Sequence, residues 1–173
     1  MKISAQEEYG LRCLLCLAQA ESAGHAPTIP EIAASEGLSA PYVAKLLAVL
    51  RQSGLIESVR GRSGGYRLGK LPAEITLGKV LKVLGEPLFD EPTYCERHKG
   101  TESDGNCVHL GGCNLRAVWQ TLEQWMRRAF EQITLADLLR GDGHIAELMR
   151  RRLAEAVEEP ASAFVPLTVL SER

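Results

Sequence analysis

Three cysteines, Cys95, Cys107 and Cys113, fall in one segment, with His98 and His109 between them. Eleven residues separate the first pair and five the second. Five cysteines in a chain read as cytoplasmic argue against a disulfide framework and for metal ligation or redox chemistry. Three thiolates and one imidazole would suit a closed tetrahedral zinc site, although the paired CxxC motifs of zinc ribbons are missing here. Cys13 and Cys16 do form a CxxC, but beside Leu14, Leu15 and Leu17 they read better as small buried hydrophobes.

A second constellation is basic. Between Lys45 and Lys70 lie Lys45, Arg51, Arg60, Arg62, Arg67 and Lys70 against a single Glu57, in a chain of formal net charge -2. Binding to nucleic acid rests on local positive potential, so this distribution outweighs the total. No phosphate loop, nucleophile elbow or paired acid and base is present to suggest an enzyme.

The elements around these residues can be read from period and caps. Ser4 and Glu7 fit a capping box for a helix running to about Gln19, and Thr28 and Glu31 repeat it for a short helix closed by Gly37. Ser39 can cap the next helix, with Pro41 in its first turn and Val43, Leu46, Leu47 and Leu50 as a buried stripe. Ala33, Gly37, Val43 and Leu46 have the spacing of a helix-turn-helix. Leu55 to Val59 can pair with Tyr66 to Leu68 across a glycine-rich tip, and a helix from about Thr76 to Leu84 completes the unit.

The fold class expected is thus mainly α with a small β-hairpin wing: a winged helix-turn-helix followed by a long helix. In such a fold the helix after the turn enters the major groove, while the hairpin tip reaches the backbone or a narrow minor groove. The candidate DNA contacts are therefore Ser39, Ala40, Pro41, Tyr42, Lys45 and Arg51 on that helix, and Arg60, Arg62 and Tyr66 in the wing.

Beyond the wing, residues 90 to 113 show little periodicity and read as a loop that some ligand must organise. From Asn114 to Arg140 the apolar residues Leu115, Val118, Trp119, Leu122, Trp125, Met126, Ala129, Phe130 and Ile133 recur at three- and four-residue steps. This predicts one amphipathic helix of about 40 Å, whose stripe needs a second copy of the chain as partner. The organisation expected is a DNA-binding domain over 1–88, a cysteine-bearing loop over 89–113, a dimerisation helix over 114–140 and a C-terminal extension over 141–173. With 45% hydrophobic and 24% charged residues and no apolar run near 20, the chain is expected to be a soluble homodimer with no membrane contact.

Several stretches carry a resemblance. Gly37-Leu38-Ser39, Leu50-Arg51-Gln52-Ser53-Gly54-Leu55-Ile56, Val59 through Leu68, and Ile133-Thr134-Leu135-Ala136-Asp137-Leu138 make residues 1 to about 140 similar to the iron-sulfur winged-helix transcription regulators that include IscR and NsrR. The resemblance implies a dimeric DNA-binding regulator, a repressor in the main expectation, that senses nitric oxide, redox state or iron-sulfur status. It also implies that Cys95, Cys107 and Cys113 ligate an iron-sulfur cluster, [2Fe-2S] or [4Fe-4S], and it favours iron over zinc. The first cysteine gap is longer than usual in the family, and Arg116 stands where IscR-like members carry a ligating histidine. NsrR-like members use a carboxylate from the first helix of the other subunit instead; the matching residue is Glu8, with His98 and His109 as rivals. The alternative is a winged-helix regulator without a cluster, controlled by zinc, cysteine oxidation or a protein partner.

Overall fold

The structure, a computed structural model, describes residues 3–61, 64–85, 91–98, 109 and 112–158. The chain divides into two compact units, Met1–Leu139 and Arg140–Arg173. Arg62, Cys107 and the tail from residue 159 lie outside the described residues.

The first unit opens with α1 (Ala5–Ser22), three residues longer than the sequence suggested. Its start follows from the capping box: the Glu7 N–H donates to Ser4 Oγ at 3.2 Å and the Ser4 N–H donates to the Glu7 carboxylate at 2.7 Å. In α2 (Ile29–Glu36) the Glu31 carboxylate accepts from both the backbone N–H and the hydroxyl of Thr28, each at 2.7 Å. Those bonds hold the Glu31 pKa below its ordinary value. Gly37 ends α2 at φ 66°, a left-handed conformation that costs glycine nothing, and α3 (Ala40–Gln52) follows at once.

Strands β1 (Ile56–Val59) and β2 (Gly65–Leu68) pair antiparallel in the register Ile56 with Leu68, Glu57 with Arg67, Ser58 with Tyr66 and Val59 with Gly65. The start of β2, next to the hairpin turn, lies on the loop between α1 and α2. There the Tyr66 N–H donates to the Pro27 carbonyl at 3.0 Å, and a Cβ at position 65 would collide with the carbonyl oxygens of Ala26 and Pro27. Only glycine fits so close a backbone approach. A single 3-10 turn (Pro72–Glu74) leads into α4 (Leu77–Leu84), capped by Thr76.

One core joins these elements. Leu14 and Leu17 of α1, Ile32 of α2, Val43, Leu46, Leu47 and Leu50 of α3, and Leu55, Ile75 and Val80 are all at most 1% exposed. Each such side chain contributes about 1.5–3 kcal/mol of burial, so the mutual placement of α1, α2 and α3 is set by packing more than by helix propensity. Cys13 is sealed in the same core, and burial pushes its thiol pKa up to about 12.

Two expectations are corrected downstream. The cysteine segment is not loop throughout: α5 (Glu91–Arg97) forms within it, with Pro92 in the first turn, where a missing N–H is tolerated. The long helix does not reach Arg140. It is α6 (Asn114–Glu131), about 27 Å at 1.5 Å per residue, and α7 (Leu135–Leu138) is separate. The break has a tertiary cause. Ile133 is 2% exposed, and its carbonyl accepts the Leu77 N–H at 2.7 Å. Thr134 bridges Thr76 in antiparallel fashion, and the Leu135 N–H donates to the Ile75 carbonyl at 2.8 Å. A capping box between Thr134 and Asp137 then starts α7 afresh. Ile133, in phase with the α6 stripe, thus serves as an anchor of the core.

The second unit contains α8 (Asp142–Glu158), charged along most of its length.

Candidate functional site

The surface that could meet DNA is built on α3 and the hairpin. Burial of Val43, Leu46, Leu47 and Leu50 fixes the rotation of α3 about its axis. Ser39, Pro41, Lys45 and Arg51 are consequently exposed, and Ala40 is half-buried. Tyr42 is also half-buried: its ring meets the Tyr9 ring edge-on, with centroids 6.0 Å apart. That contact takes part of the ring out of the outward face on which the sequence placed it. In the hairpin, Arg60 is exposed at the end of β1, and Tyr66 is half-buried against the core. Arg67 is paired across the strands with Glu57 at 3.0 Å, so its charge is locally offset. Lys45, Arg51 and Arg60 are the described cations among the residues the sequence selected for DNA.

The cysteine segment presents two described thiols. Cys95, on α5, and Cys113, immediately before α6, are both free and half-buried. Cys113 is the N-cap of α6, and its Sγ accepts the Arg116 backbone N–H at 3.4 Å. The helix that the sequence reads as dimer-forming therefore begins on a candidate ligand. Next to Cys95, the Tyr94 hydroxyl accepts from Trp119 Nε1 of α6 at 3.1 Å, and the Tyr94 ring stacks on His98 with centroids 4.4 Å apart. His98 Nδ1 lies 2.8 Å from the Tyr94 carbonyl oxygen, which engages one of its two ring nitrogens. His109 is exposed. Glu8 is exposed in the first turns of α1. Among the described residues no three His, Cys, Asp or Glu side chains are gathered into a metal site.

Along α6 the apolar stripe divides. Trp125, Met126 and Phe130 are half-buried, whereas Leu115, Val118, Trp119 and Leu122 are 61%, 49%, 41% and 44% exposed. A contiguous apolar face of this kind is a feature of surfaces that bind a partner. No helix among the described residues is long and apolar enough to cross a membrane.

Residues that the sequence did not single out tie α1 to the end of α2. Arg12 Nε donates to the Glu36 carboxylate at 2.8 Å and Nη2 to the Glu36 carbonyl at 2.9 Å, while the guanidinium carbon lies 5.3 Å from the Tyr9 ring centroid. Arg12 and Glu36 are 24 positions apart, so no local pattern announces the pair.

Residues 3–141 match the profile of Rrf2, described as iron-dependent transcriptional regulator. The chain is 35% identical over 153 residues to the HTH-type transcriptional regulator NsrR of Geobacillus kaustophilus, covering 88% of this chain and 99% of that one. Among solved structures, T. potens IscR aligns with a TM-score of 0.62 and 32% identity over 81% of this chain and 87% of its own. CymR, the global cysteine regulator of B. subtilis, aligns with a TM-score of 0.63 and 29% identity over 82% of this chain and 99% of its own.

Proposed function

Since the chain belongs to the Rrf2 family of transcriptional regulators, we propose that it is a cytoplasmic homodimeric repressor that reads nitric oxide, redox state or iron-sulfur supply through a bound cluster. Cys95, Cys107 and Cys113 would hold the cluster, with Glu8 of the partner subunit as fourth ligand. The donor chemistry fits: Cys95 and Cys113 are free thiols, and thiolates are the usual ligands of iron-sulfur groups. When bound, such a group supplies reactivity toward nitric oxide and oxidants. The single observation that carries the proposal is the position of Cys113, a candidate ligand that is also the N-cap of the helix bearing the uncovered apolar face.

Each group of residues then has a task. Ser39, Ala40, Pro41, Tyr42 and Lys45 present α3 to the major groove, and Arg60 and Arg62 bring positive charge to the backbone or minor groove, with Tyr66 seating the wing. Arg51 adds a phosphate contact at the far end of α3. Leu115, Val118, Trp119 and Leu122 pack against their counterparts in a second copy, which fixes the spacing of the two α3 helices and so of the operator half-sites.

Anaerobic purification followed by visible spectroscopy and iron and sulfide analysis tests the proposal. A brown protein that loses colour in air, and loses it in the Cys95→Ala, Cys107→Ala, Cys113→Ala triple variant, is expected. A colourless protein carrying only zinc would overturn it. The likeness to CymR favours a second reading, a cluster-free regulator controlled by cysteine oxidation, zinc or a partner protein. Under that reading the wild-type protein is colourless after anaerobic purification and its DNA affinity does not depend on iron or sulfide.

A further inference from the structure

We propose that Tyr9 and Arg12 are positioning residues that brace the recognition helix α3 against the first turns of α1, so that whatever holds Glu8 is felt at the DNA surface. The proposal rests on the DNA-binding role of α3 and, for its regulatory consequence, on Glu8 as a ligand. Two contacts of different chemistry leave α1 side by side. Tyr9 meets Tyr42 of α3 edge-on at 6.0 Å between centroids. Arg12 grips the last residue of α2, Glu36, through both its carboxylate and its carbonyl, at 2.8 and 2.9 Å. The bond to the carbonyl satisfies an acceptor at the C-terminus of α2, where a cation also complements the helix dipole. Glu36 directly precedes the Gly37 turn, so the two contacts bracket the turn that sets the angle between α2 and α3.

Glu8 is the neighbour of Tyr9 and stands four residues before Arg12, the spacing at which helical side chains share a face. The bond to Glu36 is the largest cause that raises the Arg12 pKa. Pulling Glu8 toward a neighbouring subunit moves the first turns of α1 and, with them, Tyr9 and Arg12 on the same helix. The Arg12 to Tyr9 contact, 5.3 Å from guanidinium carbon to ring centroid, keeps the two brace residues moving together. A small shift at one end is thereby delivered to a packed turn that responds by changing angle.

The test uses the full chain and two DNA probes: a duplex selected by the wild-type protein from a randomised pool, and a duplex of scrambled sequence. Affinity for both is measured for anaerobically purified protein and for protein stripped with a chelator, in wild type, Tyr9→Leu, Arg12→Gln and Arg12→Lys. Loss of the brace is expected to lower the selected-to-scrambled affinity ratio about tenfold in Tyr9→Leu and Arg12→Gln, and to bring loaded and stripped proteins within about twofold of each other. Arg12→Lys, which keeps the charge but not the fork, should fall between. Equal weakening on both probes, or an unchanged ratio in variants with wild-type melting temperature, overturns the brace. Should a variant fail to fold, Glu36→Gln supplies the same readout from the other side of the contact. A colourless wild type refutes the cluster reading alone, because the affinity ratio of the stripped protein still decides the brace.

Discussion

Truncating Leu122 to alanine should weaken self-association about thirtyfold while leaving the fold of each chain intact. Leu122 is 44% exposed in the isolated chain. Full burial of a leucine is worth about 1.5–3 kcal/mol, so covering the exposed part gains about 1 kcal/mol per subunit. A two-fold interface counts the substitution twice, giving about 2 kcal/mol, or about thirtyfold in the dissociation constant. Leu122→Glu should do more, since it also places a charge from each subunit near the axis. Sedimentation equilibrium over a range of protein concentrations measures the constant, and thermal melting checks the chain. An unchanged constant in both variants would refute the inference that this face of α6 is the interface. A loss of melting temperature that persists at concentrations where wild type and variant are both monomeric would instead mean that Leu122 supports the chain's own core.

Arg60→Ala should lower affinity for the selected duplex and reduce the slope of log affinity against log salt by about 0.9, the contribution of one phosphate contact, as titrations at several salt concentrations would show. Gly37→Ala, at φ 66°, should cost about 1 kcal/mol of stability in urea unfolding and reduce DNA binding through the same turn. Cys13 has its pKa raised from 9.0 to about 12 by burial, so the unfolded chain releases that proton first as pH rises. Its stabilising contribution is therefore complete below pH 9 and is lost between pH 9 and about 12, by an amount on the order of a few kcal/mol. Melting temperatures measured from pH 8 to 11 should fall less steeply in Cys13→Ala than in wild type, and equal slopes would contradict the assignment.

Much of this molecule is written in local pattern, where an element's cause lies within a few residues of itself. Ser4 with Glu7 and Thr28 with Glu31 begin helices because a capping box is complete over three residues. Gly37 ends one because its left-handed conformation suits glycine, and the stripe Val43, Leu46, Leu47 and Leu50 buries one face of α3 because helical period alone aligns it. The helix-turn-helix, the wing and the outward places of Lys45 and Arg60 were legible for that reason. Tertiary structure decided the rest. Ile133 continues the helical spacing of α6, but the Leu77 N–H and the core claim it, so the helix stops at Glu131. Thr76 donates to the Glu131 carboxylate at 3.0 Å across 55 positions, a tie that no window of sequence contains. Tyr42 has the composition of an outward base contact, yet Tyr9 shares it, and Arg12 finds Glu36 only once α1 and α2 have packed. Periodicity records which face of an element is apolar; which partner meets that face, and which polar side chains are drawn together as it does so, is settled by packing between distant segments.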